Sequence, residues 1–197
     1  MKHRIGKIQR KTKETDIKLD LDLDGSGKYK VKTPVPFLSH MLEAFSKHSG
    51  FDLTLTAKGD TQVDDHHTVE DIGICLGAAL NQALKNKEGI TRYGHFYAPL
   101  DEALVRAVVD LGGRNYLSFA LDMNVKKRIG TFDADLVEDF FKAVTDNGKF
   151  NLHLEKLHGR NNHHIIEAAF KSFARALKMA VSIDAKSKGV PSTKGNL

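Results

Sequence analysis

The pattern HHxxE occurs twice in this chain, each time at the head of a helical stretch: DDHHTVEDIG from Asp64 to Gly73, and NNHHIIEAAF from Asn161 to Phe170. A strand-like segment precedes each, FDLTLTAKG from Phe51 and FNLHLEKLHG from Phe150. Before those lie two further helical segments, FLSHMLEAFSKHSG from Phe37 and DLVEDFFKAVTDNG from Asp135. His40 stands 26 residues before His66 and Asp139 stands 24 before His163, so the two correspond if one two-residue indel is allowed. Farther forward, Lys13 to Gly25 aligns with Asp101 to Gly113. Each has an acidic start, a strict apolar alternation and a closing glycine, with Ile17, Leu19, Leu21 and Leu23 opposite Val105, Ala107, Val109 and Leu111. Alternation of period two marks a half-buried strand. Self-similarity on this scale makes the chain a duplication of one supersecondary unit.

Each half therefore reads strand, strand, helix, strand, helix, with the second strand near 27–33 and near 114–121. Helices paired after antiparallel strands predict an α+β layered fold. Two β-β-α-β-α half-domains, residues 1–93 and 94–185, are expected to share one core about a pseudo-twofold axis. Helices should cover one face of each sheet and polar residues the other. Residues 186–197 are rich in Gly, Pro and Ser and read as a loop. Tails of this kind are often disordered, although Ser192, Thr193 and Lys194 leave a ligand role open.

Composition narrows the classes. The chain has 197 residues, 41% of them hydrophobic and 28% charged, which is the balance of a globular protein. A net charge of +5 suits nucleic acid, a membrane surface or an acidic metabolite. The lysines are spread along the chain, and no RNP, zinc-finger or helix-turn-helix pattern is evident, so a nucleic-acid partner is not expected. No apolar run approaches the roughly 20 residues of a membrane span. The N-terminal stretch lacks the apolar core of a signal peptide, so a cytoplasmic location is expected. The single cysteine, Cys75, lies in the apolar run IGICLGAAL and reads as a core residue.

On a helix, residues four apart share a face. His66 and Glu70 are thus able to chelate one ion, and His163 and Glu167 another. Adjacent histidines diverge by about 100°, so His67 and His164 are free to reach the opposite ion. Imidazole with carboxylate suits Zn, Mn, Fe or Ni, and the lack of cysteine ligands argues against structural zinc. Asp64, Asp65 and Asp71 stand by as partners for histidine N–H groups. One such pair on a helix is usually surface or capping chemistry; two at equivalent places of a duplication point to metal. His3, His95, His153 and His158 have no partners at metal spacing, and Phe140, Phe141, Phe170, Phe173 and Leu177 read as core.

At these residues the sequence closely resembles the imidazoleglycerol-phosphate dehydratase family. The likeness runs through RIGKIQRKTKET, PFLSHML, GDTQVDDHHTVEDIGICLG, APLDEAL, LGGRNYL, GTFDADLVEDFF, HHIIEAAFKSFARAL and PSTKG. The resemblance implies the duplicated fold of the ribosomal protein S5 domain 2-like kind, and two Mn(II) ions per subunit. One ion would take His40, His67, His163 and Glu167. The other would take His66, Glu70 and His164, with Asp139 where the family commonly has histidine. It implies dehydration of D-erythro-imidazole-glycerol phosphate to imidazole-acetol phosphate in histidine biosynthesis. On that resemblance a metal on a ring nitrogen would ease loss of hydroxide through a diazafulvene-like species, and Glu14 would shuttle the carbon-bound proton. Arg92, Arg114, Lys171, Ser192, Thr193 and Lys194 fall at substrate or phosphate positions, and His48 either touches substrate or merely ends a helix. His40, His66, Glu70 and His163 would also face substrate. The resemblance further implies a symmetric assembly of 24 subunits. Two other readings stay open: a different binuclear metal hydrolase of a phosphorylated substrate, and a metal-binding assembly protein.

Overall fold

The computed structural model describes residues 3–123, 128–186 and 189–195. The chain runs β1 (Ile5–Lys11), β2 (Thr15–Asp22), β3 (Tyr29–Lys32), α1 (Pro36–Ser49), β4 (Asp52–Gly59) and α2 (His66–Leu84). It repeats as β5 (Tyr93–Leu100), β6 (Ala103–Asp110), β7 (Tyr116–Ala120), α3 (Leu136–Gly148), β10 (Asn151–His158) and α4 (Asn162–Val181). A short hairpin, β8 (Arg128–Ile129) and β9 (Phe132–Asp133), is inserted before α3. The two four-stranded sheets have the same order, β1-β2-β4-β3 and β5-β6-β10-β7. In each, the last pair is parallel and the others antiparallel. The α+β duplication is thus realised in topology as well as in sequence.

Each four-stranded sheet has one strand more than the three the pattern predicts, and the second half adds the β8–β9 hairpin. β1 and β5 lead the halves as edge strands, where one side of the ladder faces no partner. Their alternation is weak: IGKIQRK and YGHFYAPL each place a glycine where an inward apolar residue would reveal the strand. That glycine is required by packing. A Cβ on Gly6 would lie 1.9 Å from the Ala79 carbonyl oxygen of α2, and one on Gly94 would lie 2.0 Å from the Ala176 carbonyl oxygen of α4. The same close approach of an edge strand to a helix is built twice.

The helices sit between the sheets. α2 packs on β1 and β2, and α4 on β5 and β6. Across the middle the halves exchange partners, with α1 against α4 and α2 against α3. Seven phenylalanines fill this layer: Phe45, Phe51, Phe140, Phe141, Phe150, Phe170 and Phe173. Phe45 of α1 stacks on Phe173 of α4 at 5.6 Å, and Phe140 of α3 lies 5.2 Å from Phe170. Burying such a ring stabilises by about 1.5–3 kcal/mol relative to leaving it in water, so the two halves are joined by apolar contact. Cys75 is buried in the same layer, and burial pushes its thiol up to about 11. Among the described residues no helix is long and apolar enough to cross a membrane.

One cap differs between the halves. α1 ends at Gly50, with φ 79, and α3 ends at Lys149, with φ 54. A side chain in the left-handed region costs about 1–2 kcal/mol, and glycine is the usual residue there. Lys149→Gly is expected to stabilise the protein by about 1 kcal/mol, read as a melting-temperature rise of roughly 2–4 °C. A fall would mean that the Lys149 side chain contributes more than its backbone strain costs.

The tail is not a bare loop over residues 189–195. Gly89 N–H donates to the Gly189 carbonyl at 2.9 Å, and Arg92 Nη1 to the Pro191 carbonyl at 2.9 Å.

Candidate metal and substrate site

Both HHxxE motifs open their helices in the same way. Asp64 Oδ1 accepts the backbone N–H of His66 at 2.8 Å, and Asn161 Oδ1 that of His163 at 3.0 Å. Each satisfies one of the orphan donors of a helix start. The adjacent rings diverge, with interplanar angles of 89° for His66 and His67 and 80° for His163 and His164.

The exchange of helix partners assembles the ligands. His40 of α1 meets His163 and Glu167 of α4, with one donor atom from each lying within 4.8 Å of the others. Glu167 Oε2 is 3.4 Å from His40 Nε2 and 3.3 Å from His163 Nε2. A divalent ion about 2.1 Å from its ligands sets neighbouring donors about 3 Å apart, so this trio fits one with a small contraction. Burial would raise the Glu167 carboxyl. Lys171, whose Nζ lies 2.7 Å from Oε1, and His40 outweigh burial and hold it below the usual range. Glu167 is thereby kept ionised and able to ligate.

The second group is looser. Glu70 Oε2 lies 3.8 Å from His66 Nε2, whereas Asp139 Oδ2 lies 3.7 Å from His66 Nδ1. The two carboxylates thus approach different ring nitrogens, and one imidazole presents only one of them to a given ion. His66 and Asp139 share a cavity of about 650 Å³ with Asp64, Asp65 and Asp133 on its wall.

His67 and His164 join neither group within one chain. His67 Nδ1 sits 3.1 Å from Asp60 Oδ2 and 3.9 Å from Glu14 Oε2. Its hydrogen bond to Asp60 raises its pKa above the ordinary histidine value. His164 Nδ1 sits 2.7 Å from Glu102 Oε2. That hydrogen bond, with the backbone N–H of Asn161, lowers the Glu102 carboxyl to about 2. Each of these histidines has a carboxylate on Nδ1, which orients the ring; on the far side His164 Nε2 faces Asp101 Oδ2 at 3.9 Å. The sequence pattern pointed to Asp64, Asp65 and Asp71 for this task. Asp64 accepts the backbone N–H of His66 instead, and Asp71 turns away to Arg10 and Thr15. The carboxylates that hold the histidines are Asp60 and Glu102, 7 and 62 residues before their partners and outside α2 and α4, so helical spacing does not reach them. Only the alignment of Glu102 with Glu14 carried a signal.

Glu14 lies in the β1–β2 turn, beside a shallow cavity of about 310 Å³ with Lys11, Lys13 and Lys58 on its rim. His48 is half-buried at the end of α1. Burial, then Lys171 and Arg175, lowers its pKa, so it faces its neighbours as a neutral ring.

A larger cavity, about 800 Å³, is lined by Arg92, Arg114, Ser192, Thr193 and Lys194, with the backbone of Gly112 and Gly113. Arg92 is not a free cation. Its guanidinium bonds Asp110 at 2.7 and 3.1 Å and the Pro191 carbonyl at 2.9 Å, so it positions the tail. Arg114 and Lys194 supply positive charge, and the Ser192 and Thr193 hydroxyls supply donors, the chemistry of a phosphate pocket. In the first half the place of Arg92 belongs to Arg4, which is clamped by Asp24 where the second half has Gly112. The cavity beside Arg92 adjoins the C-terminal end of α4, where Arg92 N–H donates to the Ala180 carbonyl, and the His163 cluster is at the N-terminal end. Over the residues from His163 to Ala180 the helix rises about 25 Å.

The family model for imidazoleglycerol-phosphate dehydratase matches residues 33–177. An imidazoleglycerol-phosphate dehydratase of Prochlorococcus marinus (strain NATL1A) is 55% identical over 197 residues, 100% of this chain and 97% of that protein. One of Geobacillus sp. (strain WCH70) is 54% identical over 98% of this chain and 99% of its own length. The crystal structure of the Staphylococcus aureus enzyme superposes with a TM-score of 0.83 at 43% identity, covering 91% of this chain and 99% of that one. That of the Pyrococcus furiosus enzyme, in complex with (S)-C348, gives 0.82 at 38% identity, covering 96% and 100%. With its duplicated topology and its paired histidine motifs in the same chain, the protein belongs to the imidazoleglycerol-phosphate dehydratase family, hydro-lyases of histidine biosynthesis.

Proposed function

We propose that the chain is a cytoplasmic, manganese-dependent enzyme that dehydrates D-erythro-imidazole-glycerol phosphate to imidazole-acetol phosphate. The observation that carries this reading is the His40, His163 and Glu167 trio, which offers two imidazoles and an ionised carboxylate within one ion's reach. Two Mn(II) ions, when bound, would supply Lewis acidity at the ring nitrogens of the substrate. His40, His163, Glu167 and, from a second copy, His67 would hold one; His66, Glu70, Asp139 and a second copy's His164 would hold the other. The remaining chemistry belongs to side chains. Glu14 takes the proton from the carbon bearing the second hydroxyl. The hydroxyl on the carbon next to the ring leaves as water, and the resulting enol tautomerises to the ketone. Arg114, Ser192, Thr193 and Lys194 hold the phosphate, Arg92 fixes their segment, Lys171 keeps Glu167 charged, and His48 offers a neutral ring beside them.

A homo-oligomer is part of this reading. Within one chain the phosphate pocket and the His163 cluster stand at opposite ends of α4, a separation far beyond the length of the substrate. One active site must then draw its metal ligands and its phosphate pocket from different copies. The outer face of the second sheet supports association, with Tyr97, Val108 and Tyr116 exposed. The family's 24-subunit assembly is the arrangement we expect.

The test strips the protein with chelator and follows keto-product formation from imidazole-glycerol phosphate with and without Mn(II). Turnover is expected to fall by about 100-fold or more on stripping and to return with Mn(II). Folded, metal-loaded protein that yields no product with Mn, Zn, Fe or Co would overturn the reading. Release of inorganic phosphate instead would make it a hydrolase. Sharing of sites is read by mixing Glu167→Ala and Arg114→Ala chains, since mixed assemblies regain activity only if sites are composite.

A further inference from the structure

The β1–β2 and β5–β6 turns are copies of one another, and Glu14 and Glu102 occupy the same place in them. The two glutamates are held in opposite ways. Glu102 Oε1 accepts the backbone N–H groups of Asn161 at 2.9 Å and Arg160 at 3.2 Å, and Oε2 meets His164 Nδ1 at 2.7 Å. Both oxygens are engaged, and the side chain itself fastens its turn to the head of α4. The Glu14 carboxylate accepts no hydrogen bond among the described residues and is 53% exposed.

The first turn is fastened from beneath. Thr15 Oγ1 donates to Asp71 Oδ2 at 2.5 Å, and Arg10 Nε donates to Asp71 Oδ1 at 2.9 Å. Asp71 is buried on α2, one residue after Glu70. Thr12 Oγ1 accepts the backbone N–H groups of Glu14 at 3.0 Å and Thr15 at 2.9 Å. In the second half the places of Arg10, Thr15 and Asp71 are taken by Ala98, Ala103 and Ala168, all buried. The polar network exists where the glutamate is free and is replaced by three methyl groups where the glutamate is tied.

We infer that Arg10, Thr15 and Asp71 are positioning residues for Glu14, fastening its turn to α2 so that both carboxylate oxygens stay available to the substrate. The inference rests on the proton-transfer role proposed for Glu14. A base must be held close to its productive position to work, and a misplacement of about 1 Å costs about 100-fold in rate. A carboxylate that anchors its own turn, as Glu102 does, has three of its roughly four lone-pair sites taken and both oxygens held in place, so it is not free to aim at a carbon-bound proton. The network does the anchoring without touching the carboxylate. It also ties the turn to the helix that carries His66 and Glu70, so the base and those ligands move as one body.

The test compares Glu14→Gln, Thr15→Val, Thr15→Ser and the triple variant Arg10→Ala, Thr15→Ala, Asp71→Ala, all loaded with Mn(II). The triple variant copies the alanines of the second half, and Thr15→Val removes a single hydroxyl at constant shape. Thr15→Val and the triple variant are expected to lose about 100-fold or more in kcat, with KM changed less than about 3-fold and bound manganese unchanged. Thr15→Ser should restore kcat. Amide hydrogen exchange at Glu14 and Thr15 should speed up in the triple variant. Wild-type kcat in Thr15→Val and the triple variant, beside an inactive Glu14→Gln, would overturn this inference alone. Losses of kcat, KM and manganese together would also overturn it, in favour of a purely structural network. Full activity of Glu14→Gln would remove the Glu14 role on which it stands. If the triple variant fails to fold, Thr15→Val with its serine rescue decides the matter.

Discussion

Glu167→Ala is expected to lower kcat by about 1000-fold or more and, on the proposed reading of two Mn(II) ions per chain, to reduce bound manganese to one. Glu167 is the shared member of the first cluster, within 3.4 Å of both His40 and His163. Its loss leaves two imidazoles facing the Lys171 ammonium, which now lacks its carboxylate at 2.7 Å. A cation would then meet like charge where it met an anion. Transition-state stabilisation by a metal is worth several kcal/mol, and about 4 kcal/mol corresponds to about 1000-fold in rate. Metal analysis of the purified variant and a kinetic assay check the two halves of the expectation separately. Two bound ions with undiminished kcat would show that the trio is not a metal centre. Glu167→Gln is the useful companion, since it keeps the shape and loses the charge.

Gly94→Ala is expected to destabilise the protein by about 3 kcal/mol or more, lowering the melting temperature by roughly 6–12 °C. The added Cβ would lie 2.0 Å from the Ala176 carbonyl oxygen and 2.9 Å from the Ala180 backbone nitrogen. These are backbone atoms in the last turns of α4, so no side chain is able to swing aside. Relief requires α4 to move off β5, and α4 carries His163, Glu167 and the carbonyl that Arg92 binds. Activity should therefore fall along with stability, although Gly94 touches neither cluster. Gly6→Ala should behave alike against Ala79. A thermal melt of each variant decides it, and an unchanged melting temperature would mean that strand and helix separate at little cost.

The sequence by itself determined the duplication, the alternating inner strands and the paired histidines. These are local signals. Ile17, Leu19, Leu21 and Leu23 alternate because one face of β2 is buried, and HHxxE places His66 with Glu70 because a helix turns every 3.6 residues. The resemblance added Asp139, which the structure places 3.7 Å from His66 Nδ1. Tertiary structure alone decided what covers what. An apolar helix face is legible in the chain, but not that α1 lies against α4 and α2 against α3, and that exchange is what brings His40 to His163 and Asp139 to His66. The edge strands escaped notice because Gly6 and Gly94 were selected for closeness to a helix, which leaves no apolar signal. Glu102 gave no spacing signal and Asp71 pointed to the wrong partner, since a carboxylate's spacing along the chain says nothing of a partner more than 50 residues away. The separation of the His163 cluster from the cavity lined by Arg114 and Lys194 is likewise set by α4, which rises about 25 Å from His163 to Ala180, and by which of its ends each adjoins. Short-range spacing records what a backbone repeat puts side by side; contacts between elements depend on how whole faces bury one another, and no single stretch of the chain encodes that.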